Sequence, residues 1–375
     1  MRGLPRRPHG ISSAASEGYK RQVHAGVFYS ENAYRKLNEF IKASKPSAVF
    51  IFVDSNTQEK CRSLFMQKLE TDLNIEVIEM EPGEENKHIE TCSGVWNALS
   101  ELGADRKSLM INVGGGVVTD LGGFVASTFK RGISFINVPT TLLAMVDASV
   151  GGKTGVDLGN LKNQVGVITE PEMVLIDTRY LHTLEAAEMR SGLAEILKHG
   201  LIASESYWQK AINLKELTTE DLEDLILESV EIKKKIVQQD PTENNIRKTL
   251  NFGHTFGHAI ESYFLTHSHK NKLLHGKAVA AGMIIAAFLS SKLTGLSATE
   301  LEQITYHHKT LYPVVDLEAE DHEQVLNLLK FDKKNSHGNI NFVLLEKIGR
   351  PVIDVQVPQD LLSQGLHFYN QLKKD

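Results

Sequence analysis

The sequence predicts two parts in one chain: an α/β domain with a mainly parallel sheet over residues 22–183, and a mostly α-helical domain over residues 184–375. Three observations predict it. In the first part, short β-rich apolar runs alternate with stretches of helical period, as in βαβ units whose sheet is covered on both faces. In the second part, strand signals nearly vanish and apolar residues recur at helical spacing. The change of texture falls just after Leu184.

Taken in order, SAVFIFVD (47–54) is a buried-strand run, and KCRSLFMQKLETDL (60–73) continues with a helical pattern. IEVIEM (75–80) is a second strand, and HIETCSGVWNALSELG (88–103) is a helix closed by Gly103. SLMINVGGG (108–116) runs from a strand into a glycine turn, and ISFINVP (133–139) is another strand. Helical periodicity then carries EAAEMRSGLAEILKHGLIA (185–203), LEDLILESVEIKKKIVQQ (222–239), the GHTFGH segment and GKAVAAGMIIAAFLSSKL (276–293). INFVLLEKI (340–348) is the one later strand signal. A cleft between two such domains is a common place for a small-molecule site.

Bulk properties narrow the class. With 41% hydrophobic and 23% charged residues, the 375-residue chain has the make-up of a soluble globular protein. A net charge of −6 argues against a general affinity for nucleic acid. Two cysteines, Cys61 and Cys92, are too few for a disulfide framework, which points to a reducing, cytoplasmic setting. No apolar run is read as approaching the roughly eighteen residues that a membrane span needs. Residues 1–21 are basic, Ser-rich and without the apolar stretch of a secretory signal. They read as a disordered extension or tag-like remnant, with a transit segment as the alternative, and are set apart from the fold.

Three glycine-rich or charged stretches bear on chemistry. In MINVGGGVVTDLGGFVA (110–126), Gly114, Gly115 and Gly116 stand between a strand and a helix, where backbone amides suit a pyrophosphate. A plain tight turn reads equally well, and the dinucleotide pattern GxGxxG fails because position 119 is Thr119. VDASVGGKTGVDLGNLKNQ (146–164) ends like a phosphate-binding P-loop at Gly152, Lys153 and Thr154, but the opening glycine would fall at Asp147. It reads instead as a polar, flexible segment offering Lys153 and Lys162. PGEENKH (82–88) reads as a solvated turn; as a lid over a nucleotide, its Glu84 and Lys87 would reach ribose or phosphate.

His254 and His258 stand four apart and share one helix face. Such a pair belongs to a core as readily as to a site. Glu195, flanked by Leu193, Ile196 and Leu197, reads as a helix-edge residue reaching solvent. It is also available, with His254 and His275, as the third ligand of a two-imidazole, one-carboxylate metal site with an open position.

GGGVVTDLGGFVA, RGISFINVPTTLLAMVDASVGGKTG, LKNQVG, SGLAEILKHG, NFGHTFGHAIE and LLHGKAVAAGM, in this order and spacing, resemble the 3-dehydroquinate synthase family of the sugar phosphate cyclases. The resemblance runs from about residue 45 to 350, and its motifs are long and specific. It implies a Rossmann-like NAD-binding domain, then a helical metal- and substrate-binding domain, in a homodimer. It implies NAD and one divalent metal, zinc or cobalt, held by Glu195, His254 and His275. Implied NAD contacts are Asp54, Glu84, Lys87, Gly114, Gly115, Gly116, Asp120, Thr140, Thr141, Lys153 and Lys162. Implied substrate contacts are Arg131, Asp147, Lys153, Lys162, Asn163, Lys198, Lys233, Arg247, Asn251, His258 and Lys333. Among these, His258, Lys153, Lys198, Asn163, Arg247 and Asn251 carry the catalytic roles, His258 handling protons.

The implied reaction takes a sugar acid phosphate, 3-deoxy-D-arabino-heptulosonate 7-phosphate. The C5 hydroxyl is oxidised, phosphate leaves by β-elimination, the ketone is reduced again, and an intramolecular aldol step closes the carbocycle. The family's HGEAVAIGM reads HGKAVAAGM here, so Lys277 brings a positive charge near His275. Two alternatives stand beside this reading: a cyclase for sedoheptulose 7-phosphate, and a metal-dependent glycerol-type dehydrogenase. Arg247 and Asn251 in RKTLN favour the acid substrate.

Overall fold

The computed structural model describes residues 26–159, 161–213, 219–267, 272–329 and 340–373. The segment 1–21 and Lys333 therefore lie outside the described residues.

The first half alternates as its apolar runs predict. β1 (Gly26–Tyr29) leads into α1 (Ser30–Ser44), and β2 (Val49–Asp54) into the short helices α2 (Ser55–Lys60) and α3 (Arg62–Met66). β3 (Ile75–Met80), α4 (Ile89–Glu101), β4 (Leu109–Gly114), α5 (Gly116–Thr128) and β5 (Ser134–Pro139) follow. A hairpin of β6 (Lys153–Leu158) and β7 (Leu161–Ile168) precedes β8 (Met173–Ile176). Six strands form one parallel sheet in the order β1-β8-β5-β4-β2-β3. β4 is buried along its whole length and β2 along all but its last residue, as expected of strands covered on both faces. One face packs Leu37, Ile51, Val113 and Ile136. The other packs Phe50, Phe52, Leu121 and Phe135.

The second half is helical: α6 (Ala186–Ala203), α7 (Glu205–Ile212), α8 (Thr219–Gln239), α9 (His254–Thr266), α10 (His275–Leu293), α11 (Ala298–Leu311) and α12 (Ala319–Leu328). An antiparallel pair, β9 (Asn341–Lys347) and β10 (Arg350–Gln356), and a final helix α13 (Gln359–Gln371) complete it. α10 is the centre of this core, with Ala278–Ala287 buried. It corrects one expectation: among the described residues it is a helix long and apolar enough to cross a membrane. Most of its apolar window, 72%, is buried against the rest of the fold, which is the position of a core helix.

Three sequence readings change. Residues 67–73, read as helix, lie beyond the end of α3. The segment 146–164, read as flexible, is a π-helical turn (Ala144–Ala148) followed by the β6–β7 hairpin. In the 82–88 segment, read as solvated, Lys87 is buried and Glu84 half-buried, while Glu85 stays exposed.

Candidate functional site

A cavity of about 950 Å³ opens beyond the C-terminal ends of β2, β4 and β5. The chain runs outward from β2 to β3, then returns to place β4 on the other side of β2. Ligands of open α/β sheets bind at such a reversal. Gly115 and Gly116 line the cavity, with Gly114 the last residue of β4 just behind them. Gly115 precedes α5 without a side-chain cap, which leaves backbone amides to face a ligand. A Cβ on Gly115 would come 3.0 Å from Thr141 Cγ2, so a larger residue would push the turn off Thr141. Asp54, Thr140 and Thr141 line the same space. Asp54 also caps α2, its Oδ1 accepting the Thr57 amide at 2.8 Å.

The 82–88 segment forms part of the wall. Lys87 is only 3% exposed and donates to Asp120 Oδ2 and Asn163 Oδ1, both at 2.7 Å. Burial works against the Lys87 charge, yet Asp120 and Glu84 hold its pKa above the ordinary lysine value. Burial also keeps the Asp120 carboxyl above its usual value despite Lys87. Glu84 pairs with Lys162 at 2.9 Å. A solvated turn would leave these charges to water; here each has a buried partner from a distant segment.

The hairpin and the π turn supply the next layer. Asp147, on the turn, accepts from Lys233 Nζ at 2.6 Å and lies 3.8 Å from Lys198 Nζ. Burial opposes the Asp147 charge, but Lys233 and Lys198 pull its pKa well below the carboxylate range. Lys153 opens β6 and pairs with Glu243; Lys162 and Asn163 belong to β7. Lys162 also reaches Glu261 Oε1 at 2.8 Å.

At the helical side, α6, α9 and α10 bring Glu195, His254 and His275 together. Gly253, at φ 78°, turns the chain into α9, and a Cβ on Gly282 would lie 1.9 Å from the Gly253 carbonyl oxygen. Only glycine at 282 lets α10 pass this close behind His254. Glu195 is fully buried, correcting the solvent-reaching expectation. Among the described residues its Oε1 has no hydrogen-bond partner, and it lies 3.4 Å from His254 Nε2 and 3.9 Å from His275 Nε2. Its Oε2 contacts the Lys198 ammonium. His254 Nδ1 lies 3.2 Å from the Phe252 carbonyl and His275 Nδ1 lies 3.0 Å from Glu261 Oε2. Both partners only accept, so each Nδ1 carries a proton, and in its neutral form each ring presents its lone pair at Nε2. The two Nε2 nitrogens and the Glu195 carboxylate oxygen, all within 4.8 Å, form a donor set that fits a divalent cation. His258 lines the cavity beside them, its ring 5.2 Å from that of His254.

The 3₁₀ segment Ile246–Asn251 carries Arg247 and Asn251 to the cavity wall. Arg247 is 2% exposed and donates to the Pro241 and Gly151 carbonyls at 2.7 Å each, while its Nε has no partner. Asn251 donates to Glu243 Oε1 at 2.8 Å. Arg131 is the residue this chain does not bring to the cavity. It follows α5 at the end opposite the glycine turn, beside Arg106, Lys107 and Lys130 in a separate surface recess. Lys277 is half-buried, which pushes its ammonium pKa down. Sequence reasoning missed Glu243 and Glu261. For Glu261 a signal existed: it stands three residues after His258, on the same helix face.

Family models match along most of the chain: the 3-dehydroquinate synthase N-terminal model at residues 77–191 and the C-terminal model at 192–335. A 3-dehydroquinate synthase of Parabacteroides distasonis is 43% identical over 340 residues, covering 90% of this chain and 95% of that protein. Among solved structures, a 2-epi-5-epi-valiolone synthase from Streptomyces hygroscopicus with NAD+ and Zn2+ bound is 25% identical, with a TM-score of 0.78. It covers 98% of this chain and 99% of its own. A 2-deoxy-scyllo-inosose synthase complexed with carbaglucose-6-phosphate, NAD+ and Co2+ is 24% identical, with a TM-score of 0.77 over 91% of this chain and 96% of its own, and shows the shared fold.

Proposed function

Because this chain belongs to the 3-dehydroquinate synthase family, we propose that it is a lyase converting 3-deoxy-D-arabino-heptulosonate 7-phosphate to 3-dehydroquinate and phosphate. The observation that carries this reading is a single cavity. It joins a glycine turn at the sheet reversal, a Glu/His/His donor set and a group of cations that includes Lys153, Lys162, Lys198, Lys233 and Arg247. In this reading residues 22–183 carry NAD, residues 184–375 carry the metal and substrate, and the enzyme works as a homodimer.

The glycine turn with Asp54, Thr140 and Thr141 would hold NAD, which would supply reversible hydride transfer at the C5 carbinol. Glu195, His254 and His275 would hold a divalent cation, which would supply a Lewis acid to this chemistry. The chain does the rest. The glycine turn and Lys87–Asp120 seat the dinucleotide. Lys153, Lys198 and Lys233 receive the phosphate and carboxylate charges, with Asp147 balancing Lys198 and Lys233 until substrate arrives. The unpartnered Nε of Arg247 is available to the carboxylate, while its two carbonyl bonds fix the guanidinium plane. Asn163 and Asn251 orient hydroxyls, and His258 moves protons at the cavity face. The enclosing wall keeps water from the reactive ketone.

Phosphate release from the heptulosonate phosphate with NAD supplied far below substrate tests this directly. Turnover many times the NAD supplied, with no build-up of NADH absorbance, is expected. Stoichiometric NADH formation would instead mark a dehydrogenase.

A further inference from the structure

We propose that Glu261 is a positioning residue for the metal site, fixing the His275 imidazole so that Nε2 turns toward Glu195. This rests on the reading of Glu195, His254 and His275 as metal ligands. Glu261 is 4% exposed on α9, and both its carboxylate oxygens are engaged. Oε2 lies 3.0 Å from His275 Nδ1, and Oε1 accepts from Lys162 Nζ at 2.8 Å. A carboxylate cannot donate, so the ring proton sits on Nδ1 and the Nε2 lone pair faces the site.

The two imidazoles are held differently. His254 gives its Nδ1 proton to a backbone carbonyl, that of Phe252, which the fold fixes. His275 is the first residue of α10, and its ring is oriented by a side chain instead. Gly276 is anchored through its amide to Ser191 Oγ at 2.9 Å, which fixes the backbone but not the ring. Among the described residues, Glu261 is the hydrogen-bond partner of His275 Nδ1, and so selects its tautomer. Lys162 in turn holds the carboxylate, and it also grips Glu84 at 2.9 Å. Two ion pairs and a hydrogen bond, Glu84–Lys162–Glu261–His275, therefore run from the 82–88 wall to a proposed metal ligand. Carboxylates that orient metal-bound imidazoles typically contribute 10–100-fold in metal affinity.

The test is zinc affinity of the full chain, measured by chelator competition, with the visible spectrum of the cobalt form as a second readout. Glu261→Ala should weaken zinc binding by about 10–100-fold and alter the cobalt bands. Glu261→Asp should recover part of the affinity, and Lys162→Met should cost less than Glu261→Ala because the His275 contact survives. Should Glu261→Ala fail to fold, Glu261→Gln carries the same expected direction, since it removes the charge that polarises the ring. His275→Ala reports on the underlying reading: it should lose zinc outright. Wild-type zinc affinity in His275→Ala would remove the ligand assignment itself. Loss in His275→Ala with wild-type affinity and spectrum in both Glu261→Ala and Glu261→Gln would overturn the positioning role alone.

Discussion

Lys87→Met removes the cation that the 82–88 wall buries, and its cost follows from the contacts. The Lys87 side chain is 4% exposed and that of Asp120 is 19% exposed, with 2.7 Å between the charged atoms. Asn163 takes a second hydrogen bond at 2.7 Å, and Glu84 lies 3.9 Å away. Breaking a buried pair costs roughly 3–5 kcal/mol, because a charge is left without a partner. Two effects reduce this. Asp120 borders the cavity, so water reaches it, and burial already raises its pKa, so protonation relieves the orphaned charge. We therefore expect a loss of about 2–3 kcal/mol in urea unfolding, together with weaker NAD binding. Adding Asp120→Asn removes the orphan, and the double variant should recover at least about 1 kcal/mol relative to the sum of the singles. Stability of Lys87→Met within about 0.5 kcal/mol of wild type, or strict additivity in the double variant, would refute the buried-pair account.

Removing metal with a chelator should abolish turnover, and zinc or cobalt should restore it; His254→Ala should lose bound metal, whereas His258→Ala should keep it and slow the chemistry. Substrate choice should follow the acid: kcat/KM for the heptulosonate phosphate should exceed that for sedoheptulose 7-phosphate by about a hundredfold, the scale of a buried guanidinium losing its charged partner. Arg247→Lys should erode that ratio while keeping a cation, and an unchanged ratio would reopen the cyclase alternatives. Away from the site, burial raises the Asp177 carboxyl, but Arg179 and Tyr34 pull it below its ordinary value. A lowered folded pKa means that stability is present above the unfolded value, about 3.9, and is lost as pH falls through the folded one. Unfolding midpoints should therefore drop below about pH 4, and Asp177→Asn should flatten that drop.

The strands and most helices were legible because their apolar runs are local: β3 spans the residues of IEVIEM, and α10 those of its apolar stretch with His275 added. The site was legible differently. Spacing alone left His254 and His258 undecided, and the long motifs supplied the roles proposed for each. What sequence could not give was burial of charge. Lys87 meets Asp120 across 33 residues and Asn163 across 76, and Lys162 meets Glu261 across 99. No window contains both partners, so the 82–88 segment read as solvated; Glu195 read as a helix edge because the imidazoles it faces come from other helices. The β6–β7 hairpin was hidden for a related reason. Its glycines and polar residues carry no strand signal, yet Gly155 and Gly166 pair so closely that a Cβ on either would meet the facing backbone at 2.5 Å or less.

The central claim is that this chain removes hydrogen from the substrate carbinol and gives the same hydrogen back. Heptulosonate phosphate deuterated at C5 tests it in one measurement, with catalytic unlabelled NAD and mass analysis of the carbocyclic product. The account predicts one deuterium retained at the same carbon of nearly every product molecule, with phosphate released in step. Product that has lost the deuterium to solvent, or deuterium accumulating in the reduced nucleotide, would contradict it.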